Sequence, residues 1–136
     1  MRLSADRSDV VLGIDVGTQS AKCVVLDASG QVRGVGQQGY GLLTPRPQWI
    51  EQDPQAWWNA VIAAVRDALR AANTMAGRVR GIGLTGQMHG AVILGADLTP
   101  LRPALIWMDR RSANLCEIVQ DRLSHEDVVR LAGNRL

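Results

Sequence analysis

The chain has 136 residues, 46% hydrophobic and 21% charged, and its fifteen Lys and Arg against thirteen Asp and Glu leave a formal net charge of +2. That is the size of one ordinary domain with a real core, and short for a two-domain enzyme. The basic residues are scattered among acids, giving no stripe for nucleic acid, and no apolar segment reaches the length of a membrane span. Cys23 and Cys116 lie far apart without CxxC spacing, which reads as reduced thiols in a cytoplasmic protein.

Residues 1–9 are polar and are expected to form a disordered lead; the apolar run that follows is broken by Asp15 too soon for a secretion signal. Val10 to Ile14 reads as a strand buried on both faces, and Ala21 to Leu26 as a second, joined by a hairpin around Gly17 and Thr18. Asp27 to Gly30 is a turn with Gly30 suited to a left-handed position, and Gln31 to Tyr40 alternates loosely as a third, more exposed strand. The chain thus begins as an antiparallel meander. Asp53 before Pro54 is a helix start, a carboxylate to cap free amides followed by a residue that has none. Trp57, Val61, Val65 and Leu69, flanked by Trp58 and Ile62, supply the apolar stripe of a helix running to Ala72.

Val79 to Thr85, Ala91 to Leu94 and Ala104 to Trp107 read as further strands. The helix between Pro54 and Ala72 supplies the crossover that sets the strand of Ile82 and Leu84 parallel to the first. Ser112 can cap a helix carrying Leu115, Ile118, Val119 and Leu123, Ser124 with Asp127 resembles a capping box, and Gly133 can stop the last helix. This order predicts an α/β fold, a mixed sheet with helices on its faces, with nothing after Gly133 to close the structure.

Gly81, Gly83 and Gly86 match the spacing of a dinucleotide fingerprint, but they lie inside a strand pattern and no helix opens after them. The match is a coincidence of spacing. Asp15 is more informative: it ends a buried strand and is followed by Gly17, Thr18, Gln19 and Ser20, a tip whose amides and hydroxyls can face phosphate oxygens while the carboxylate holds magnesium through water. From spacing alone an ordinary turn with a surface acid is slightly favoured. For Met88 and His89, residue type alone favours a gap filler and a core histidine satisfied by backbone.

The motifs taken together change that balance. GIDVGTQSAKCVVLD resembles the first phosphate motif of the sugar kinase, Hsp70 and actin superfamily; WIEQDPQAWW, GLTGQMHG and LRPALIWMDRRS follow in the order and spacing of the FGGY carbohydrate kinases. The Met-His form of the middle motif is similar to xylulose kinases. The resemblance implies a ribonuclease-H-like core, phosphoryl transfer from ATP with Mg²⁺, and a sugar in a cleft between two domains. It assigns Asp15 to metal and phosphate, Gly17, Thr18, Gln19 and Ser20 to the phosphate hairpin, and Met88, His89, Trp107 and Asp109 to the sugar, D-xylulose. Met108 departs from the family pattern, which has Asn or Gln there. Lys22 either approaches phosphate or turns to solvent.

The same resemblance implies that residues 10–136 are an incomplete N-terminal domain, with the C-terminal domain and the Asp that serves as catalytic base beyond Leu136, so that the chain alone is catalytically silent. Two alternatives stand beside it. One is a non-catalytic relic that binds sugar weakly or forms a homodimer through its unfinished sheet edge. The other is a kinase for a different polyol or sugar, such as glycerol or gluconate, with the Met88–His89 pair arguing against glycerol.

Overall fold

The computed structural model describes residues 9–133. Of the lead expected over residues 1–9, only Asp9 falls within them, and its carboxylate lies 3.0 Å from Arg80 Nε. The meander forms as expected: β1 (Val10–Val16), β2 (Ser20–Asp27) and β3 (Val32–Gly39) pair antiparallel in sequence. Gly30 takes the left-handed conformation, φ 83°, at the second turn, where Asp27 accepts from the amides of Ser29 and Gln31. A two-residue strand, β4 (Glu51–Gln52), precedes helix α1 (Pro54–Ala71), whose first turn is capped by the Asp53 carboxylate accepting from the Gln55 amide at 2.9 Å. After α1 comes β5 (Val79–Gly86), parallel to β1, so the main sheet has the order β3-β2-β1-β5.

The remaining strands depart from expectation. Ala104–Leu105, β6, is shorter than the run to Trp107 and pairs antiparallel with β4, outside the main sheet. Ala91 to Leu94 is not a strand. It folds back on residues 99–105 through single bridges, Ala91 to Leu105 and Leu94 to Pro100. Two prolines, Pro100 and Pro103, have no amide hydrogen to give to a ladder, and no helix separates this run from β5 to carry it across the sheet. Two short helices follow, α2 (Ala113–Gln120) and α3 (His125–Ala132). Ser112 occupies the cap position of α2 without a side-chain bond, whereas Ser124 accepts from the Asp127 amide and Gly133 ends α3 at φ 68°.

β1 is buried on one face only. Val10, Leu12 and Ile14 meet Cys23, Val25, Ala64 and Ala68 in the core, while Val11 and Asp15 point away from it and are exposed. The centre of the α1 stripe is Ala60, Ala64 and Ala68 rather than the larger residues, and Trp58 is 60% exposed. The cause lies in β3: a Cβ on Gly36 would sit 2.1 Å from Ala64 O, and one on Gly34 2.3 Å from Ala68 O. Helix and sheet therefore come within backbone contact along this line, which leaves room there for methyl groups, while Val61, Val65 and Leu69 pack against the core beside it.

Candidate functional site

At the end where β1 turns into β2, Gly17 N donates to Ser20 O at 3.0 Å and closes a tight hairpin. Tyr40 fastens it from outside, its hydroxyl donating to Gly17 O and its amide to Gln19 O. Burial raises the Tyr40 phenol above its ordinary pKa, and the nearby Asp15 charge adds to the shift. The Thr18 and Gln19 amides have no acceptor among the described residues. Asp15, exposed on the sheet face opposite α1, is paired in register with Lys22 on β2 and Thr85 on β5. Alternation thus puts Lys22 on the same face as Asp15, beside the hairpin.

β5 ends against this hairpin. Gln87 N donates to Val16 O at 2.8 Å, and a Cβ on Gly86 would lie 2.8 Å from that same carbonyl, so the approach requires glycine. The chain then turns sharply: His89 adopts φ 61°, a left-handed conformation uncommon for a side-chain-bearing residue, and both His89 and Met88 are exposed. Ala91 and Leu105 exchange backbone hydrogen bonds, at 2.8 and 3.2 Å, which lays the Met88–His89 segment beside the end of β6. From there Trp107, 56% exposed, donates its indole N–H to Thr18 Oγ1 at 3.0 Å. The hairpin, the start of the Met-His turn and Trp107 therefore lie together, beside an exposed carboxylate and two amides that have no acceptor among the described residues.

Asp109 behaves differently from its assignment to the sugar wall. Its side chain is 6% exposed and its oxygens accept five hydrogen bonds: two from Arg111 Nε and one each from Arg111 Nη2, the Arg111 amide and the Ile50 amide. The Arg111 guanidinium holds the carboxyl down at about 2. Arg111 also reaches the buried Glu51 at 2.6 Å and lies 3.8 Å above the Trp49 ring, while Arg102 pairs with Glu51 from the outer side. These contacts anchor the loop that carries Trp107 to β4. Asp109, Glu51 and Arg111 form an ionic brace; all three lie within the quoted motifs, and only Asp109 is assigned a role from them.

Sequence reasoning also passed over Gln52. It is fully buried and hydrogen-bonded to Thr18, Gly41, Trp57 and Gln87. Its place before the Asp53–Pro54 helix start reads only as the approach to a cap, and a two-residue strand has no periodicity to reveal it.

A tight hairpin on an antiparallel meander thus lies beside a parallel strand that ends in an exposed polar turn. The chain belongs to the FGGY carbohydrate kinases: the family model described as "FGGY family of carbohydrate kinases, N-terminal domain" matches residues 10–136. A xylulose kinase of Klebsiella pneumoniae is 40% identical over 113 residues, 83% of this chain and 23% of its own length. A glycerol kinase of Allorhizobium ampelinum is 36% identical over 111 residues, 81% of this chain and 22% of its own. The crystal structure of a xyloylose kinase from Brucella ovis superposes with a TM-score of 0.78 at 34% identity, covering 83% of this chain and 24% of the other. The fold is accordingly that of the ribonuclease-H-like sugar kinases, and the chain spans about a quarter of the length of these relatives. Overall likeness does not separate ketose from glycerol kinases, so the Met88–His89 pair alone does not exclude glycerol.

Proposed function

We propose that this chain is the N-terminal part of a cytoplasmic kinase that transfers the γ-phosphate of ATP to a ketose, D-xylulose. The observation that supports the reading is the Trp107–Thr18 hydrogen bond, which joins one residue assigned to the sugar to one assigned to phosphate. A ketose offers hydroxyl edges and apolar C–H faces; Met88 and Trp107 supply apolar surface, and His89 supplies a hydrogen-bonding ring. The left-handed turn at His89 presents both side chains outward rather than into the sheet. Asp109 acts from behind, holding the Trp107 loop.

The residues at the hairpin fit a magnesium nucleotide. Mg²⁺ is usually held by one or two carboxylates together with substrate phosphate and water, and Asp15 is exposed beside two amides that lack acceptors. When bound, Mg²⁺-ATP supplies the phosphoryl group and the charge that screens it. The chain's own part is to hold the Asp15 carboxylate at the strand end, to aim the Thr18 and Gln19 amides at phosphate oxygens, and to present Lys22 on the same face.

The test is Asp15→Ala in an intact kinase carrying this domain, with ketose affinity by calorimetry and turnover by ADP release. Turnover should fall at least about a hundredfold with ketose affinity held, as expected when a group acting on the transferring phosphate is lost. Normal saturating turnover with lost ketose affinity would place Asp15 on the sugar side.

A second reading is favoured by one observation. Ile82 and Leu84 on β5, at the sheet edge, are 60% and 76% exposed, as suits a sugar-binding relic that self-associates there. Light scattering of the purified chain separates the two: a stable dimer supports the relic and a monomer removes its motive.

A further inference from the structure

We propose that Gln52 is a positioning residue that fixes the phosphate hairpin and the Met-His turn against each other; the functional meaning of that role rests on the kinase reading above. Gln52 is 0% exposed, and every hydrogen-bonding capacity of its amide is used. Nε2 donates to Thr18 O at 2.8 Å and to Gly41 O at 3.3 Å; Oε1 accepts from Trp57 Nε1 at 3.1 Å and from Gln87 Nε2 at 2.9 Å. The amide orientation is fixed by its partners, since backbone carbonyls only accept and an indole N–H only donates.

The bonds close a ring. Thr18 Oγ1 donates to Gln87 Oε1 at 3.4 Å, Gln87 donates to Gln52, and Gln52 donates back to the Thr18 carbonyl. Trp107 enters the same ring through Thr18 Oγ1. Gln87 immediately precedes Met88 and His89, so one buried side chain sets the distance between the residues assigned to phosphate and those assigned to sugar. Two donors and two acceptors at opposite ends of one planar group are what the ring requires. Glutamate lacks the donors, lysine lacks the acceptors, and leucine lacks both. Burial of Gln52 raises the stakes, because loss of its amide leaves part-buried polar partners to find other bonds.

The role is testable on the 136-residue chain by two-dimensional ¹⁵N NMR and hydrogen exchange, in which the indole N–H groups of Trp57 and Trp107 report separately. Gln52→Leu should move the Trp107 indole and Thr18 amide signals and speed exchange of the Gly17 amide, which closes the hairpin on Ser20 O, at least about tenfold, with the Cys23 and Val25 amides unchanged. Gln52→Glu keeps size and acceptor: Trp57 should hold its wild-type signal while Trp107 and Thr18 still move. Val25→Ala, a core change outside the ring, should leave the Trp107 indole in place. If Gln52→Leu does not fold, the Gln52→Glu spectrum decides.

Unmoved Trp107 and Thr18 signals in a folded variant would overturn the proposal, as would the same movement in Val25→Ala. A D-xylulose titration separates this from the kinase reading. No response in the wild type counts against the sugar site, and the ligand-free indole signals still decide the role of Gln52. A wild-type response reproduced unchanged in Gln52→Glu would overturn the positioning role.

Discussion

Gly36→Ala is the most severe small change the packing allows. The added Cβ would lie 2.1 Å from Ala64 O and 2.7 Å from Ala68 N, both backbone atoms of α1 that no rotamer can move aside. Ordinary contact begins near 3.4 Å, so helix or strand must retreat by roughly 1.3 Å, opening a gap along Ala60, Ala64 and Ala68. Overpacking costs about 1–3 kcal/mol, and a clash with helix backbone belongs at the upper end, about 3 kcal/mol. With a urea slope of about 1.5 kcal/mol per M, the unfolding midpoint should fall by about 2 M. The control is Gly77→Ala, whose new Cβ meets nothing within 4 Å and whose φ is not positive; it should unfold close to the wild type. Retreat of α1 also draws Trp57 from Gln52, so the hairpin should loosen in the variant. Equal midpoints for the two alanine variants would refute the claim that helix and sheet meet through glycine and alanine backbone.

The Asp109 carboxyl is held at about 2 by Arg111, below its ordinary 3.8, so its contribution is complete above that ordinary value and is lost as pH falls through about 2. Asp109→Asn should therefore cost roughly 2 kcal/mol at pH 7 by urea unfolding, with the gap to wild type closing between about pH 4 and pH 2; a gap independent of pH would mean the pair with Arg111 does not hold the charge. Trp107→Phe keeps the apolar surface and removes the N–H donated to Thr18, so exchange of the Gly17 amide that closes the hairpin should quicken with the unfolding midpoint held within about 0.5 M; an unaltered Gly17 amide would make the Trp107–Thr18 bond irrelevant to the hairpin. The purified chain should show no steady ADP release with ATP and D-xylulose, since positioning accounts for roughly 7–11 kcal/mol of such barriers and one rim cannot supply it; turnover that survives repurification and vanishes in Asp15→Ala would show that these residues contain a base.

The meander, the capped helix and the parallel β5 were legible because short-range rules decide them: apolar runs, turn residues and a crossover of sufficient length. Ala91 to Leu94 misled because an apolar run says nothing about whether its neighbours can extend a ladder, and the segment facing it, with Pro100 and Pro103 lacking amide hydrogens, joins it only at single bridges. The α1 stripe was legible in period but not in centre, since whether alanine or tryptophan is buried depends on Gly34 and Gly36 some thirty residues earlier. Of the segments the motifs single out, the hairpin, the start of the Met-His turn and Trp107 are neighbours in the structure, joined through Thr18 and Gln87. Asp109 carries a motif yet faces inward, because the sequence does not show that Arg111 turns back on it. Gln52 and Glu51 were invisible for a related reason: their partners lie up to 60 residues away, and only the fold makes a polar pair in a two-residue strand buried.

The central claim is that the rim formed by Met88, His89 and Trp107 receives a ketose beside the phosphate hairpin. Its most direct measurement is a titration of the ¹⁵N-labelled chain with D-xylulose, run beside glycerol and beside His89→Ala. D-xylulose should shift the amides of Gln87 to Gly90 and the Trp107 indole, leave Trp58 at its wild-type position, and bind at least about tenfold more weakly to His89→Ala, the scale of one lost hydrogen bond in a site. Glycerol shifting the same signals at lower concentration than D-xylulose, or D-xylulose binding undiminished by His89→Ala, would contradict the account.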